Sequence, residues 1–382
     1  MSSPGVEVRL RTRLDAVIDR ALEAQRIVGT VVLVAHHGVS VYGRAAGLAD
    51  REARVPMKDD SIFLLASVTK PIVSAAAMRL VEAGSLGLDD SVTRWLPDFR
   101  PCLSNGHFPA MTIRQLLTHT AGLSYRCFEP GDSRYRALDV SDGLDQPGLS
   151  LGENLRRLTQ APLVYEPGTS WRYSLATDVL GAVIAEAAAE ALPDAVRHLM
   201  TGPLGMKDTD FTVVDRARLV THYADGTPEP VRMTDGMAVP LFGAPLRFFP
   251  SRIFDSSSYP SGGAGMAGTA KDVLRFFETL RMGDGALHAS TVERMVATHV
   301  GSWAQTWGPG WGFGLGWAVL DDPAIAGTPQ AKGTIQWGGV YGHCWFVDRV
   351  NGLTVVILTN TAFEGMSGAF PIEVRDAIYD VF

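Results

Sequence analysis

Strand-like segments crowd the two ends of this 382-residue chain and nearly vanish between them. Near the start, "VGTVVLVAHHG" and "VSVYGRAAGLAD" read as two strands joined by a tight turn at His37-Gly38. In the last third, "GFGLGWAVL", "TIQWGGVYG", "HCWFVDR" and "LTVVILTN" read as strands again. From about residue 90 to 230 helical patterns such as "TIRQLLTH", "ENLRRLTQA", "TDVLGAVIAEAAAE" and "DAVRHLM" alternate with loops rich in Gly, Pro and Asp. The simplest architecture is α+β: N- and C-terminal strands share one antiparallel sheet flanked by helices, with a mostly helical part inserted. The expected domains are 1–88 with 240–382 around the sheet, and 89–239 as the helical insertion. The groove between them is the expected ligand site.

Further helices fit this plan. Leu10, Leu14, Val17, Ile18 and Leu22 make one amphipathic face over residues 10–26. "SVTKPIVSAAAMRLVEAG" is an Ala-rich helix ended by Gly84, "YPSGGAGMAGTAKDVLRFFETL" a Gly-rich loop entering a helix, and "FPIEVRDAIYDVF" a closing helix.

Composition excludes several classes. Apolar residues make up 46% of the chain, its net charge is −7, and its 34 basic residues form no run. Neither nucleic acid nor an anionic membrane is an expected partner. The N-terminus carries charges every few residues and lacks the apolar core of an export signal, and no window is apolar for long enough to span a membrane. A cytoplasmic location is therefore expected. Cys102, Cys127 and Cys344 are odd in number and widely spaced, which suggests neither a disulfide framework nor zinc. The adjacent His36 and His37 would point to opposite faces of a strand, a poor chelating pair. No metal or other cofactor is expected.

"GLSLG", Gly148 to Gly152, matches the G-x-S-x-G nucleophile elbow. An elbow needs a buried strand running into a sharp turn and a helix leaving it. The segment before Ser150, "LDVSDGLDQPG", is polar and turn-rich. Ser150 is better read as the start of the helix "ENLRRLTQA". "SVTK" offers a different nucleophile. Ser67 and Lys70 are spaced i and i+3, so hydroxyl and amine share one helix face. A serine hydroxyl needs a base, and a buried lysine whose pKa falls toward neutrality can be one. The helix N-terminus would favour a developing oxyanion. Lysine is scarce, with only Lys58, Lys70, Lys207, Lys271 and Lys332 present.

Two more stretches bear on this site. Tyr173 precedes a helix after the Pro167-Gly168 turn. A tyrosine between a lysine ammonium and a serine can act as general base, with phenol and amine titrating as a pair. In "QWGGVYGHCWF", Gly338, Gly339 and Gly342 interrupt a strand, which often marks close approach by a ligand or another backbone. Such an edge strand could offer a backbone N–H that completes an oxyanion hole with the N–H of Ser67, with Trp337 walling the pocket.

Together these stretches resemble the serine β-lactamase and penicillin-binding-protein superfamily. The class C β-lactamase fold and, within it, the family VIII carboxylesterases are most similar. The resemblance runs from about residue 14 to 381. It is carried by "FLLASVTKP" (Phe63–Pro71), "LLTHTAGL" (Leu116–Leu123), "YSLATDVLG" (Tyr173–Gly181), "YPSGGAGM" (Tyr259–Met266) and "IQWGGVYGH" (Ile335–His343). It implies Ser67 as the acylated nucleophile, Lys70 as keeper of the proton network and Tyr173 as general base. It also implies an oxyanion hole from the N–H groups of Ser67 and Val340, and a pocket with Trp337, Gly338, Gly339 and Tyr125. The sequence departs from the β-lactamase pattern at two points. Tyr-x-Asn is Tyr173-Ser174-Leu175 here, and Lys-Thr-Gly is replaced by Trp337-Gly338-Gly339, with Lys332 left as a loop residue. Both losses favour a small, apolar acyl ester over a β-lactam. The expected function is a serine carboxylesterase of short-chain esters, with cephalosporin deacetylation or weak β-lactamase action as side activities. Its rivals are a β-lactamase or D-alanyl peptidase, an acyltransferase and a penicillin-sensor-like module without turnover.

Overall fold

The computed structural model describes residues 4–241, 244–283 and 285–382. The first two long elements of the chain are helix α1 (Pro4–Glu23) and the hairpin β1 (Gly29–His36) and β2 (Val39–Asp50), which turns at His37-Gly38 as expected. A two-residue strand, β3 (Val55–Pro56), follows. The C-terminal part adds β4 (Trp311–Phe313), β5 (Ala318–Leu320), β6 (Ile335–Gly339), β7 (His343–Asp348) and β8 (Leu353–Thr359). These eight strands form one sheet in the order β4-β5-β6-β7-β8-β1-β2-β3, antiparallel throughout. Pairing of β1 with β8, from Thr30 with Thr359 to His36 with Leu353, joins the two ends of the chain. The α+β fold read from the sequence is the fold observed.

Side chains alternate across the sheet as the period of two requires. Val32, Val34, Cys344, Phe346, Val355 and Ile357 face one core, closed by Leu10, Leu14, Val17 and Ile18 of α1 and by Phe370, Val374 and Ile378 of α6 (Ala369–Tyr379). Val31, Leu33, Trp345, Val347, Val356 and Leu358 face the larger core. There α5 (Ala270–Met282) packs on the sheet, with Phe277 stacked 3.8 Å from Trp345. Burial on both faces explains why β1, β7 and β8 read as almost unbroken apolar runs.

Helix α2 (Thr69–Glu82) is buried from Thr69 to Met78 on every side, as a helix inside a core must be. It contacts α4 (Ala176–Ala188). Helix α3 (Leu151–Gln160) begins at Ser150, whose hydroxyl accepts a hydrogen bond from the Glu153 N–H at 3.2 Å. Ser150 is thus an N-cap, and the elbow reading of "GLSLG" fails on its local geometry.

Two details differ from the sequence reading. "GFGLGWAVL" is two short strands, β4 and β5, because Gly314 closes a turn onto Trp317 O at 2.8 Å. The region between residues 220 and 250 also holds two hairpins, Tyr223–Ala224 with Val231–Arg232 and Met237–Leu241 with Ala244–Phe248. Their short, Pro- and Gly-interrupted runs carry little strand signal. Among the described residues, no helix is long and apolar enough to cross a membrane.

Candidate active site

Ser67 lies on a 3-10 turn, Ala66–Val68, that leads directly into α2. Strand Ile62–Leu64 delivers the chain there, pairing with Ala267–Thr269. Ala66 takes the left-handed conformation at φ +45°, which no residue with a Cβ adopts freely. The turn is therefore sharp, and it is held from both sides. His343 Nε2 lies 2.8 Å from Leu64 O, and Leu65 N–H donates to Met266 O at 2.8 Å. Burial pulls the His343 pKa down to about 4, so the ring is neutral and its Nε2–H donates to Leu64.

Lys70 is 1% exposed. Its Nζ lies 3.2 Å from Ser67 Oγ and donates to Gly263 O at 2.7 Å. The amine also faces two aromatic rings, Tyr173 at 4.6 Å and Tyr125 at 5.5 Å from the ring centres, distances at which a cation is attracted to a π face. The Tyr173 hydroxyl accepts a hydrogen bond from Trp337 Nε1 at 3.2 Å. That bond fixes the direction in which the phenol oxygen points. Tyr173 sits just before α4 and packs on His119, whose burial and proximity to Lys70 hold it neutral.

Strand β6 carries Trp337, Gly338 and Gly339 past the Ser67 turn. It pairs with β7 along its whole length, Gly338 opposite Cys344 and Gly339 opposite His343. It pairs with β5 only at Ile335 and Gln336. The expected edge strand is therefore an interior strand, a correction to the sequence reading. Its last three residues nevertheless have no strand partner on the β5 side. A Cβ on Gly339 would stand 2.6 Å from Leu65 O, so only glycine lets β6 come this close. Val340 follows and lines the same cavity as Ser67.

That cavity measures about 770 Å³, within the range of sites that hold drug-sized ligands. Ser67, Tyr173, Trp337, Gly338 and Val340 line it, and Phe128, Trp171, Trp307 and Trp311 supply aromatic wall. Gly339 and Tyr125 are not among its lining residues. Tyr125 is 7% exposed and packs behind Tyr173 at 5.3 Å, on the Lys70 side. Burial pushes its phenol well above the usual range, with Tyr173 and Asp178 adding to the effect. Lys332 is exposed, in the loop before β6.

Sequence reasoning missed Asp178, Ser261 and Gly263. Asp178, on the first turn of α4, accepts from Ser261 Oγ at 2.6 Å through Oδ1. Ser261 and Gly263 belong to the Gly-rich loop before α5. The site thus gathers a hydroxyl, an amine and a phenol beside an aromatic cavity that Ser67 and Val340 both line. Such a set can activate a hydroxyl and hold a developing oxyanion.

Comparison with known proteins places these residues in context. The family described as Beta-lactamase matches residues 14–378. Esterase EstB of Burkholderia gladioli is 56% identical, covering 97% of this chain and 95% of its own length. The solved structure of EstCE1, described as a hydrolase with promiscuous acyltransferase activity, is 50% identical and superposes with a TM-score of 0.96, covering 98% and 99% of the two chains. The simvastatin synthase LovD of Aspergillus terreus shares the fold, with a TM-score of 0.78 at 22% identity over 98% of each chain.

Proposed function

The chain belongs to the Beta-lactamase family, and on that premise we propose that it is a serine carboxylesterase acting on short-chain acyl esters through an acyl-enzyme. The observation that carries this reading is the 3.2 Å contact between Lys70 Nζ and Ser67 Oγ at the foot of the cavity. Ser67 Oγ attacks the ester carbonyl as its proton passes to the Lys70–Tyr173 pair. The N–H groups of Ser67 and Val340 hold the oxyanion. The same pair returns the proton to the departing alcohol, then deprotonates the water that releases the acid. Trp337 donates to the Tyr173 hydroxyl and holds it in place beside Lys70. In domain terms, residues 1–88 and 240–382 hold Ser67, Lys70 and Trp337, and residues 89–239 bring Tyr173.

The cavity continues from Ser67 past Trp171, Trp307 and Trp311, which leaves room for an alcohol portion beyond a short acyl group. The partner is thus a small-molecule ester. The aromatic wall also supports a second reading, acyl transfer to an alcohol in place of water, the kind of activity the description of EstCE1 names for that protein. Adding an alcohol and analysing products separates the two. With Trp337-Gly338-Gly339 where relatives of the β-lactamase type carry Lys-Thr-Gly, β-lactam opening is the weaker activity. The deciding experiment compares turnover of p-nitrophenyl butyrate with that of a chromogenic cephalosporin. Faster ester turnover is expected. Faster opening of the lactam ring would replace esterase by β-lactamase, and a single burst of one equivalent would mean a binding module.

A further inference from the structure

One buried acid near Lys70 has no part in the reaction above. Asp178 is 2% exposed, and only one of its oxygens is satisfied. Oδ1 accepts from Ser261, whereas Oδ2 is buried with no well-formed hydrogen bond among the described residues and the Gly263 backbone beside it. A buried polar atom without a partner costs free energy and calls for a reason.

The reason lies in what Oδ2 faces. The point where a Cβ on Gly263 would stand is 2.6 Å from Asp178 Oδ2, 3.4 Å from Lys70 Nζ and 3.5 Å from the Tyr125 hydroxyl. Glycine at 263 thus keeps the space between acid and amine free of side-chain atoms. The same loop ties them from outside, with Ser261 on Asp178 and the Gly263 carbonyl on Lys70 Nζ. We propose that Asp178 is a positioning residue for the esterase reaction, whose carboxylate is the counter-charge of the Lys70 ammonium and whose bond to Ser261 fixes the loop that orients Lys70. This rests on the reading of Ser67 and Lys70 as the acylating pair.

The electrostatics follow from the neighbours. Burial raises the Asp178 pKa overall, and the Ser261 hydrogen bond opposes that push most, with Lys70 from α2 and Arg252 from the turn Pro250–Phe254 adding to the opposition. Tyr259, on the Gly-rich loop, and Tyr125 feel the Asp178 charge as a barrier to ionising. Tyr173 and His119 face Lys70 from the helical side. Asp178 takes no proton from Ser67. The proton leaves Oγ for the Lys70–Tyr173 pair as the Oγ–carbonyl bond forms, and Asp178 stabilises positive charge on Lys70 whichever of the two receives it.

The test uses Asp178→Asn, which keeps an acceptor for Ser261 and removes the charge. Taking away a negative charge eases deprotonation of every neighbour. The pH limb of Ser67 reactivity must therefore move to lower pH, by about one unit for an opposite charge a few ångströms away. Reactivity is read twice, as kcat/KM for p-nitrophenyl butyrate and as the rate of Ser67 labelling by a fluorophosphonate. The second needs no ester turnover. Ser261→Ala loosens the loop and weakens, without deleting, the charge on Asp178, so it should lower the rate and move the limb less than Asp178→Asn does. An unmoved limb in Asp178→Asn, or an equal shift in Ser261→Ala, overturns the proposal. If Asp178→Asn does not fold, Asp178→Glu decides: its limb stays in the wild-type place if charge is what matters and moves if it is not. Absent labelling and turnover in the wild type would instead strike the esterase reading itself.

Discussion

Ser67 and Ser150 differ in what their hydroxyls touch. Ser67 Oγ meets the buried amine of Lys70, and Ser150 Oγ accepts from the backbone of its own helix. Ser67→Ala should therefore lose more than about 10³-fold in kcat, as removal of a covalent nucleophile does, with its melting temperature near wild type. Ser150→Ala should keep its kcat and lose about 1 kcal/mol of stability. Steady-state kinetics beside thermal unfolding checks both. Trp337→Phe removes the N–H that Tyr173 accepts and trims the ring that walls the cavity while keeping an aromatic side chain there. A loss of about tenfold in kcat is expected from one such donor. Unchanged kcat in Trp337→Phe would detach Tyr173 from the proton path. At this scale the i, i+3 spacing put the Ser67 hydroxyl and the Lys70 amine within reach of each other, and the family resemblance rather than any spacing singled out Tyr173. The sequence could not carry Asp178. Its partner Ser261 stands 83 residues away, and no periodic pattern links a helix start to a Gly-rich loop.

Among elements, the placement of β6 against the Ser67 turn matters most. Gly339→Ala puts a Cβ 2.6 Å from Leu65 O, a backbone atom that cannot swing aside. Strand and turn must separate, and a shift of about 1 Å in such a site costs on the order of 10²-fold in rate. That loss should appear in kcat/KM of the folded protein. Gly152, the last glycine of "GLSLG", is the contrasting case. It lies in α3 with nothing within 4 Å of an added Cβ. Gly152→Ala should raise stability by about 0.5–1 kcal/mol and leave activity unchanged, the opposite of what an elbow glycine would do. Chemical denaturation measures it. The glycines of "QWGGVYG" announced a close approach, but the strand's interior position depended on β5, a three-residue strand whose pairing with β6 ends at Gln336. Local periodicity does not encode where a ladder stops.

Across the whole molecule, buried titratable groups set the response to pH. Burial holds His222 at about 3 and His343 at about 4, both below the ordinary 6.5. The unfolded chain binds more protons in this window, so the stability these residues give above pH 6.5 is lost as pH falls toward 4. Asp142 has the opposite sign. Burial, helped by Asp145, lifts it from 3.8 to about 7, so its contribution is complete below 3.8 and is lost as pH rises through 7. Removing it should expose the histidine effect. Asp142→Asn is expected to lose melting temperature more steeply than wild type between pH 7 and 4. Parallel curves would mean that Asp142 is ionised across this range. The sheet that carries His343 was legible because its strands sit at the chain's two ends, and β1 with β8 closes them together. Asp142 was not legible, since it reads in sequence as one more loop aspartate.

Acylation of Ser67 is the central step, and its product can be trapped. Wild-type protein mixed with p-nitrophenyl butyrate and quenched in acid within milliseconds should carry one butyryl group by intact mass, mapped by peptide sequencing to Ser67. Turnover with the butyryl group on Ser150, or with no covalent species and full activity in Ser67→Ala, would contradict it.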